Sequence, residues 1–561
     1  MMDSCVPDSA IRVFRARDVI TMDPSRPRAT HVAVQDGRIL AVGGADEMAC
    51  YSGASVATLP AGAVLVPGLV EGHAHLTEGA LWRAAYIGYY ARRGPDGTLH
   101  EGLTDLARVL KRLRIAEAGM PDPTEPLLAW GFDPIYFESR RLDASDLDTV
   151  SRTRPIVILH ASLHLMTVNS AMLELAGIEQ EADIDGIARD STGKPNGELR
   201  EFAAMFPIFR ILGRRVPISA SENAQAVRNF AAVAQLAGVT TAADLANELS
   251  EDGIRTLETL TATADFPLRL VAAFAPQRHP GGGVQSVQQA MRLNTDKLKF
   301  GAVKFIVDGS IQGFTARLRP PGYLGGQPNG LWVMAPTGLE QAFTPYHRAG
   351  LQLHVHVNGD EATDAVLDAM AAMLAKFPRE GHRHTLQHCQ LADAGQLARA
   401  ADLGLCVNFF ANHLYYWGDA HWEQTVGPQL AQRMNAAATA LRLGLKVALH
   451  SDAPITPLAP LFTAWCAMRR QSSRGRVLGE LECISLEQAL HAVTLGSAYT
   501  LGLEGQIGSI EPGKLADFAI LLQSPYECPL PEVQVWGTVL GGTIFPAGTV
   551  GTPSRIDGAS E

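Results

Sequence analysis

From about residue 64 to about residue 500, short apolar runs alternate with longer amphipathic stretches. This alternation constrains the fold more than any other feature. A strand covered on both faces by crossover helices reads as a continuous apolar run, so the pattern predicts a parallel sheet in which each strand is followed by a helix. The predicted strands are Val64 to Val70, Pro155 to Leu159, Leu268 to Phe274, Val303 to Val307, Leu351 to Val357, Thr385 to His388, Leu405 to Phe409 and Lys446 to His450. After the fifth, Ala362, Ala365, Val366, Ala369, Met370, Met373 and Leu374 fall on one helical face. A count near eight predicts an α/β chain closed into a (β/α)8 TIM-like barrel.

The two ends read as β. Ile11 to Ile20 and His31 to Gly43 alternate around an Asp36-Gly37 turn, a hairpin signature, and Gly508 to Leu522 and Val533 to Ile544 look similar. Neither end is long enough for a good core alone, so they are expected to pair into one small β-sandwich domain, residues 1–66 with 504–561, flanking a barrel over 67–503. Hydrophobic residues make up 47% and charged residues 19%, and no apolar run approaches the roughly 20 residues of a membrane span. A net charge of -11 argues against nucleic acid or an anionic membrane as partner, since either favours clustered Lys and Arg. The N-terminus lacks the apolar core of a secretory signal, and a cytoplasmic location is expected. Seven cysteines without CxxC spacing, Cys5 among them, read as reduced thiols.

Val66-Pro-Gly-Leu-Val-Glu-Gly-His-Ala-His75 is an apolar strand ending in His-x-His. Residues two apart on a strand point to one side, so His73 and His75 can present both imidazoles to one metal ion. Four more polar residues stand at the C-terminal ends of predicted strands, where catalytic groups converge in barrel enzymes: Lys304, His356, His388 and Asp452. Taken singly, a strand Lys can be a snorkelling surface residue and a strand His a hydrogen-bonded core residue. Six such accidents in order are far less probable than one site.

The order His-x-His, Lys, His, His, Asp resembles the amidohydrolase superfamily, and the surrounding sequence resembles its family 3 branch, which includes N-substituted formamide deformylase. Further matches are Gly131-Phe-Asp133, Val168-Asn-Ser170, Gly238-Val-Thr-Thr241, Asp308-Gly-Ser310, Ser451-Asp-Ala-Pro454 and Gly508 to Asp517. The resemblance implies that His73, His75 and Asp452 bind one ion and that His356 and His388 bind a second. The resemblance makes Lys304 the bridge, deprotonated and N-carboxylated, because a free ammonium has no lone pair to donate. Zinc suits nitrogen and carboxylate ligands in an open site, with iron, manganese and cobalt as alternatives and one or two ions left open. Asp452 would take a proton from the activated water and pass it to the leaving nitrogen. Hydrolysis of an amide or N-substituted formamide in a small, aromatic-tolerant substrate is the implied reaction. Decarboxylation, hydration or isomerisation by the same barrel, or an inactive binding module, are the competing readings.

Around these six, His164 reads as a pocket residue or a structural hydrogen bond, and His413 as a group at the barrel mouth that stabilises an oxyanion or holds substrate. Trp417, in the aromatic stretch Phe409 to Trp417, and Phe314, in Ile311 to Thr315, are read as substrate-binding residues. Asp308 either orients a ligand or caps a turn, and His354 is the alternative to His356. Relative to the resemblance, Ile311 to Thr315 replaces small residues, Gln387 stands where Glu is common and His450 where Gly is common. The partner is a small-molecule substrate; homo-oligomerisation is left open.

Overall fold

The computed structural model describes residues 11–547 apart from 138–139, 181, 183, 214–216 and 280–282. Cys5 lies outside these residues, and the six cysteines within them are all free.

Eight strands form the central parallel sheet: β1 (Leu69–Ala74), β2 (Val239–Asn247), β3 (Arg269–Phe274), β4 (Leu298–Ile306), β5 (Gln352–Val357), β6 (Thr385–His388), β7 (Cys406–Phe409) and β8 (Lys446–Leu449). Each pairs in parallel with the next, in spatial order β1 to β8. The barrel is nearly closed, and the seam between β8 and β1 is bridged by side chains and loops rather than a ladder. The Ser451 N–H and hydroxyl both donate to the Glu71 carboxylate, at 3.0 and 2.8 Å. The His75 N–H donates to the Ala453 carbonyl, and the Val70 N–H to the Val493 carbonyl. Buried apolar side chains from every barrel strand and from the helices outside it make one continuous core, and the helix predicted after β5 spans Asp360–Lys376 with Ala362, Val366, Ala369, Met370 and Met373 buried.

Two of the predicted barrel strands require correction. The run Val64 to Val70 divides at Gly68. Val64–Pro67 pairs antiparallel with Phe518–Leu521 of the other chain end, and β1 begins only at Leu69. A Cβ on Gly68 would lie 2.0 Å from Thr240 Oγ1, so the step from one sheet to the other needs a residue without a side chain. Pro155 to Leu159 is not in the barrel. It corresponds to Ile156–His160, inside a six-stranded mixed sheet inserted between β1 and β2, whose order runs Ile187–Arg189, Pro195–Arg200, Leu165–Val168, Ile156–His160, Leu127–Phe132, Ala85–Tyr86. The second barrel strand is instead Val239–Asn247, which begins inside the Gly238-Val-Thr-Thr241 motif.

The chain ends do pair. Residues 12–67 and 518–546 contribute to one eight-stranded, hydrogen-bonded sheet. Asp36 and Gly37 both adopt positive φ at the hairpin joining Arg28–Gln35 to Arg38–Gly43, as a two-residue turn requires. The sheet curls: Phe14 and Phe518 sit on strands separated by Val64–Pro67, yet their rings meet at 5.5 Å.

Candidate metal centre

The site lies at the C-terminal ends of the barrel strands. His73, on β1, donates from Nδ1 to Gln387 Oε1 on β6 at 2.8 Å. Gln387 Oε1 also accepts from Asn408 Nδ2, and Gln387 Nε2 donates to His354 Nδ1. With its Nδ1 proton committed, His73 presents the Nε2 lone pair inward, 3.2 Å from Lys304 Nζ and 3.3 Å from Asp452 Oδ1. His75 Nε2 lies 3.2 Å from the same carboxylate oxygen. His354, the alternative to His356, is thereby tied into the layer beneath the site.

Lys304 is 2% exposed on β4, and burial, opposed by Asp452 and reinforced by Arg278, brings its amine down to about 7. A neutral amine is the state from which a carbamate or a metal bond forms. Burial pushes Asp452 up, but its hydrogen bond to His75 and the charges around it hold the carboxyl at about 2, ionised throughout the neutral range. Burial, added to by neighbouring cations, pushes His73, His356 and His388 well below the usual imidazole range, which keeps them neutral and able to donate a lone pair. His388 (φ +71°), Cys389 (φ +46°) and Asp452 (φ +53°) hold left-handed backbone that few non-glycine residues adopt, so the strand ends carry strain where the candidate ligands stand.

Among the described residues, two groups of three side chains could each hold a metal ion: His73, His75 and Asp452, and His73, His388 and His450, with the ligand atoms of each group within 4.8 Å of one another. His356 is in neither. Its Nε2 lies 3.2 Å from both the Gly309 carbonyl and Asn358 Nδ2, while its ring meets His388 at 4.4 Å. His388 and His450 have both ring nitrogens buried without a hydrogen-bond partner, and His75 Nδ1 and His413 Nδ1 are likewise unpartnered. Buried polar atoms are rarely left so, and a cation at this point would satisfy several at once. The donor set therefore fits a divalent ion of borderline softness.

The surrounding residues divide. His164 comes from the inserted sheet, its ring 6.0 Å from that of His356, and its Nδ1 is 2.8 Å from Glu201 Oε2. Glu201 follows the strand Pro195–Arg200, which pairs antiparallel with Leu165–Val168, so a partner 37 residues distant is brought alongside. His413 packs on Phe410 at 4.1 Å and on Trp417 at 5.6 Å. Trp417 is buried and its indole N–H donates to Asp133 Oδ2 at 2.9 Å. Phe314 stands apart, in an apolar cluster with Ile311, Tyr323, Leu391 and Leu414. Asp308 accepts from the Asn358, Gly359 and Arg317 backbone N–H groups, fixing the loop after β5, and lies 3.6 Å from His356 Nε2.

Sequence reasoning missed two residues here. His450 stands two residues before Asp452, the same spacing that singled out His73 and His75. Glu201 carried no signal, because only the inserted sheet brings it to His164.

The model of the amidohydrolase family matches residues 61–545. N-substituted formamide deformylase of Arthrobacter pascens is 27% identical over 94% of this chain and 96% of its own length. Putative amidohydrolase YtcJ of Bacillus subtilis is 27% identical over 94% and 97%. Among solved structures, an uncharacterized metal-dependent hydrolase from Pyrococcus horikoshii superposes with a TM-score of 0.72 at 19% identity, covering 93% of this chain and 99% of that one.

Proposed function

Because the chain belongs to the amidohydrolase family, we propose that it is a metal-dependent hydrolase that cleaves a C–N bond, of amide or N-substituted formamide type, in a small substrate entering the barrel mouth. The observation that carries this reading is the convergence of His73 Nε2 and His75 Nε2 on one Asp452 oxygen, at 3.3 and 3.2 Å, beside a buried Lys304 amine. The relative from Arthrobacter pascens, named for deformylating N-substituted formamides, supports the C–N bond as target.

His73, His75, His388 and Asp452 are the residues to hold the ion, with His356 and an N-carboxylated Lys304 as the further ligands; zinc is the ion we favour. When bound, such an ion lowers the pKa of a water from about 15.7 towards about 7 and polarises a carbonyl. Asp452, ionised at neutral pH, would hold the ion and serve as the acceptor of a proton from the attacking water and its donor to the leaving nitrogen. His413, with its unpartnered Nδ1 at the mouth, offers a hydrogen bond to the substrate oxygen, and burial pushes it well below the usual imidazole range, so it acts as a neutral donor. His164 and the aromatic wall of Phe410 and Trp417 bound the substrate; Phe314 contributes through the loop that carries it. The curled terminal sheet is read as a small sandwich, and the inserted sheet as a further lobe between residues 77 and 238 of the barrel domain.

The test is a panel of N-substituted formamides and amides with both products quantified. Release of amine and carboxylate in equal amounts supports the assignment, whereas carbon dioxide without amine sinks it.

A further inference from the structure

We propose that Gln387 is a positioning residue of the centre: its uncharged amide oxygen fixes the tautomer and plane of His73, and keeps the Nε2 lone pair of that ring a weaker donor to a divalent ion than a carboxylate in the same place would. The proposal rests on the reading of this centre as metal-binding. It deepens that reading, which names only the residues that touch the ion.

Three observations carry it. Gln387, His354, Asn408 and His73 are all buried, so the bonds among them are shielded from solvent. Gln387 and Asn408 are register partners on β6 and β7. Gln387 Oε1 accepts from His73 Nδ1 at 2.8 Å and from Asn408 Nδ2 at 3.0 Å, and Gln387 Nε2 donates to His354 Nδ1 at 2.8 Å. Three bonds hold the amide in one orientation, and the amide in turn holds the His73 ring. Next, that orientation leaves the His73 Nε2 lone pair 3.3 Å from Asp452 Oδ1, the oxygen that His75 Nε2 approaches at 3.2 Å. These three residues form a group able to hold one ion. Finally, hydrogen bonding alone does not account for an amide here. His354, kept neutral by burial, accepts at Nδ1, so its single proton sits on Nε2, which is buried without a partner. An unpaired buried donor is costly.

A carboxylate at this position would remove that cost. His73 and Asn408 would donate to it as they do to the amide, and His354 would carry its proton on Nδ1 and donate as a third, which is the company a buried carboxylate needs. The chain nevertheless has Gln387 where Glu is common. What the amide supplies instead is a neutral acceptor. A hydrogen bond to a carboxylate is charge-assisted and about twice as strong as one to a neutral amide, and it draws the Nδ1 proton of an imidazole outward, raising the electron density at Nε2. With Gln387 that push is weak. His73 therefore holds an ion less tightly and leaves it more electron-poor, the property to which a bound water or carbonyl responds.

Cobalt(II) titration of the chelator-stripped full-length protein against a competing chelator tests this, alongside nitrogen NMR of the histidines in the stripped protein. The His354 signal is assigned by its loss in His354→Asn, and thermal unfolding shows that each variant is folded. Gln387→Glu keeps the shape and adds the charge; Gln387→Met keeps the length and removes the acceptor. Gln387→Glu should bind cobalt at least about tenfold more tightly and move the His354 proton from Nε2 to Nδ1, whereas Gln387→Met should bind at least about tenfold more weakly. A role in packing alone predicts weaker binding in both. Cobalt binding by folded Gln387→Glu no tighter than that of wild type would overturn the role of Gln387 and leave the metal centre standing. No cobalt uptake by the wild type would overturn the metal-centre reading and this inference together.

Discussion

Asp452 touches both His73 and His75 through one oxygen, while its second oxygen lies 3.7 Å from His388 Nδ1. Replacing it by Asn removes the proposed proton acceptor but leaves an oxygen that can still contact an ion. Turnover of Asp452→Asn should fall by about 10²- to 10⁴-fold, the range typical of a lost general base, while ion content falls less. Steady-state rates alongside ion analysis check this, and an unchanged rate would remove Asp452 from proton transfer. The pair His164 and Glu201 calls for a different result. Burial opposes charge on His164, but the charge and hydrogen bond of Glu201, with Asp452 and Asp308 beyond, raise its pKa. Glu201→Gln keeps the hydrogen bond and removes the charge. If His164 binds substrate, KM should rise about tenfold with kcat changed less than about threefold; a fall confined to kcat would assign the pair to chemistry instead. At this scale the sequence was legible wherever chemistry follows local spacing. His-x-His is visible because a strand repeats every two residues; His450 and Asp452 share that spacing but lie beyond β8, which ends at Leu449, and Asp452 is at φ +53°, so strand alternation does not relate them. Glu201 is not visible, because its meeting with His164 depends on a register between two strands of a sheet that no local pattern announces.

Strands and helices show the same division between local and non-local information. Pro155 to Leu159 passes for a barrel strand because its residues are apolar, and Ile156–His160 is indeed a mostly buried strand. Burial by an inserted lobe and burial by a barrel leave the same mark in the sequence. Val239–Asn247 was overlooked for the opposite reason: it is buried at all nine positions, yet it is built largely of Thr, Ala, Asp and Asn. Several of those polar groups serve the site and its rim, with Asp244 Oδ1 3.9 Å from His75 Nδ1 and Oδ2 accepting from Asn247. Behind β5 and β6, three histidines form a structural chain. His384 donates to His347, which donates to the Phe377 carbonyl; Leu353 N–H donates to His384, His384 N–H donates to His382, and His382 donates to the Leu403 carbonyl. Every acceptor nitrogen in that chain would be lost on protonation. Burial lowers all three pKa values, His384 most clearly. The unfolded chain, with imidazoles near about 6.5, therefore binds more protons than the folded one below that pH. Stability from this chain is full above about 6.5 and is lost as pH falls below it. Denaturation midpoints of wild type should drop between pH 7.5 and 5.5, and His384→Gln should show a smaller drop from a lower starting point. Equal drops would assign the effect to other groups.

Across the whole molecule, the terminal sheet and the barrel share an ion pair that neither could bury alone. Arg269 on β3 reaches Asp517, just before the strand Phe518–Leu521, and both side chains are 2% exposed. The same guanidinium donates to Thr241 Oγ1 on β2 and the Asp296 carbonyl, and Asp517 accepts from the Gly541 N–H at the far hairpin of the terminal sheet. Gly68 N–H, between the two sheets, donates to the Asp517 carbonyl. Asp517 is thus tied to the barrel and to both contributions of the terminal sheet. Removing one partner of a buried pair leaves an uncompensated charge and costs about 3–5 kcal/mol, while replacing both by apolar groups of similar volume costs much less. Asp517→Ala should therefore destabilise strongly, and Arg269→Met together with Asp517→Leu should recover part of the loss. A chain of this size need not unfold in one step, so the informative measurement follows two probes: barrel unfolding through release of cobalt, and loss of the terminal sheet through a fluorophore on Cys50, the exposed thiol among the described residues, with Cys5 replaced by Ser. In wild type the two transitions should coincide, because the interface couples them. In Asp517→Ala the terminal sheet should open at lower denaturant than the barrel loses its ion. Coincident transitions in that variant would mean that the Val64–Pro67 ladder and the apolar contacts carry the coupling without the ion pair.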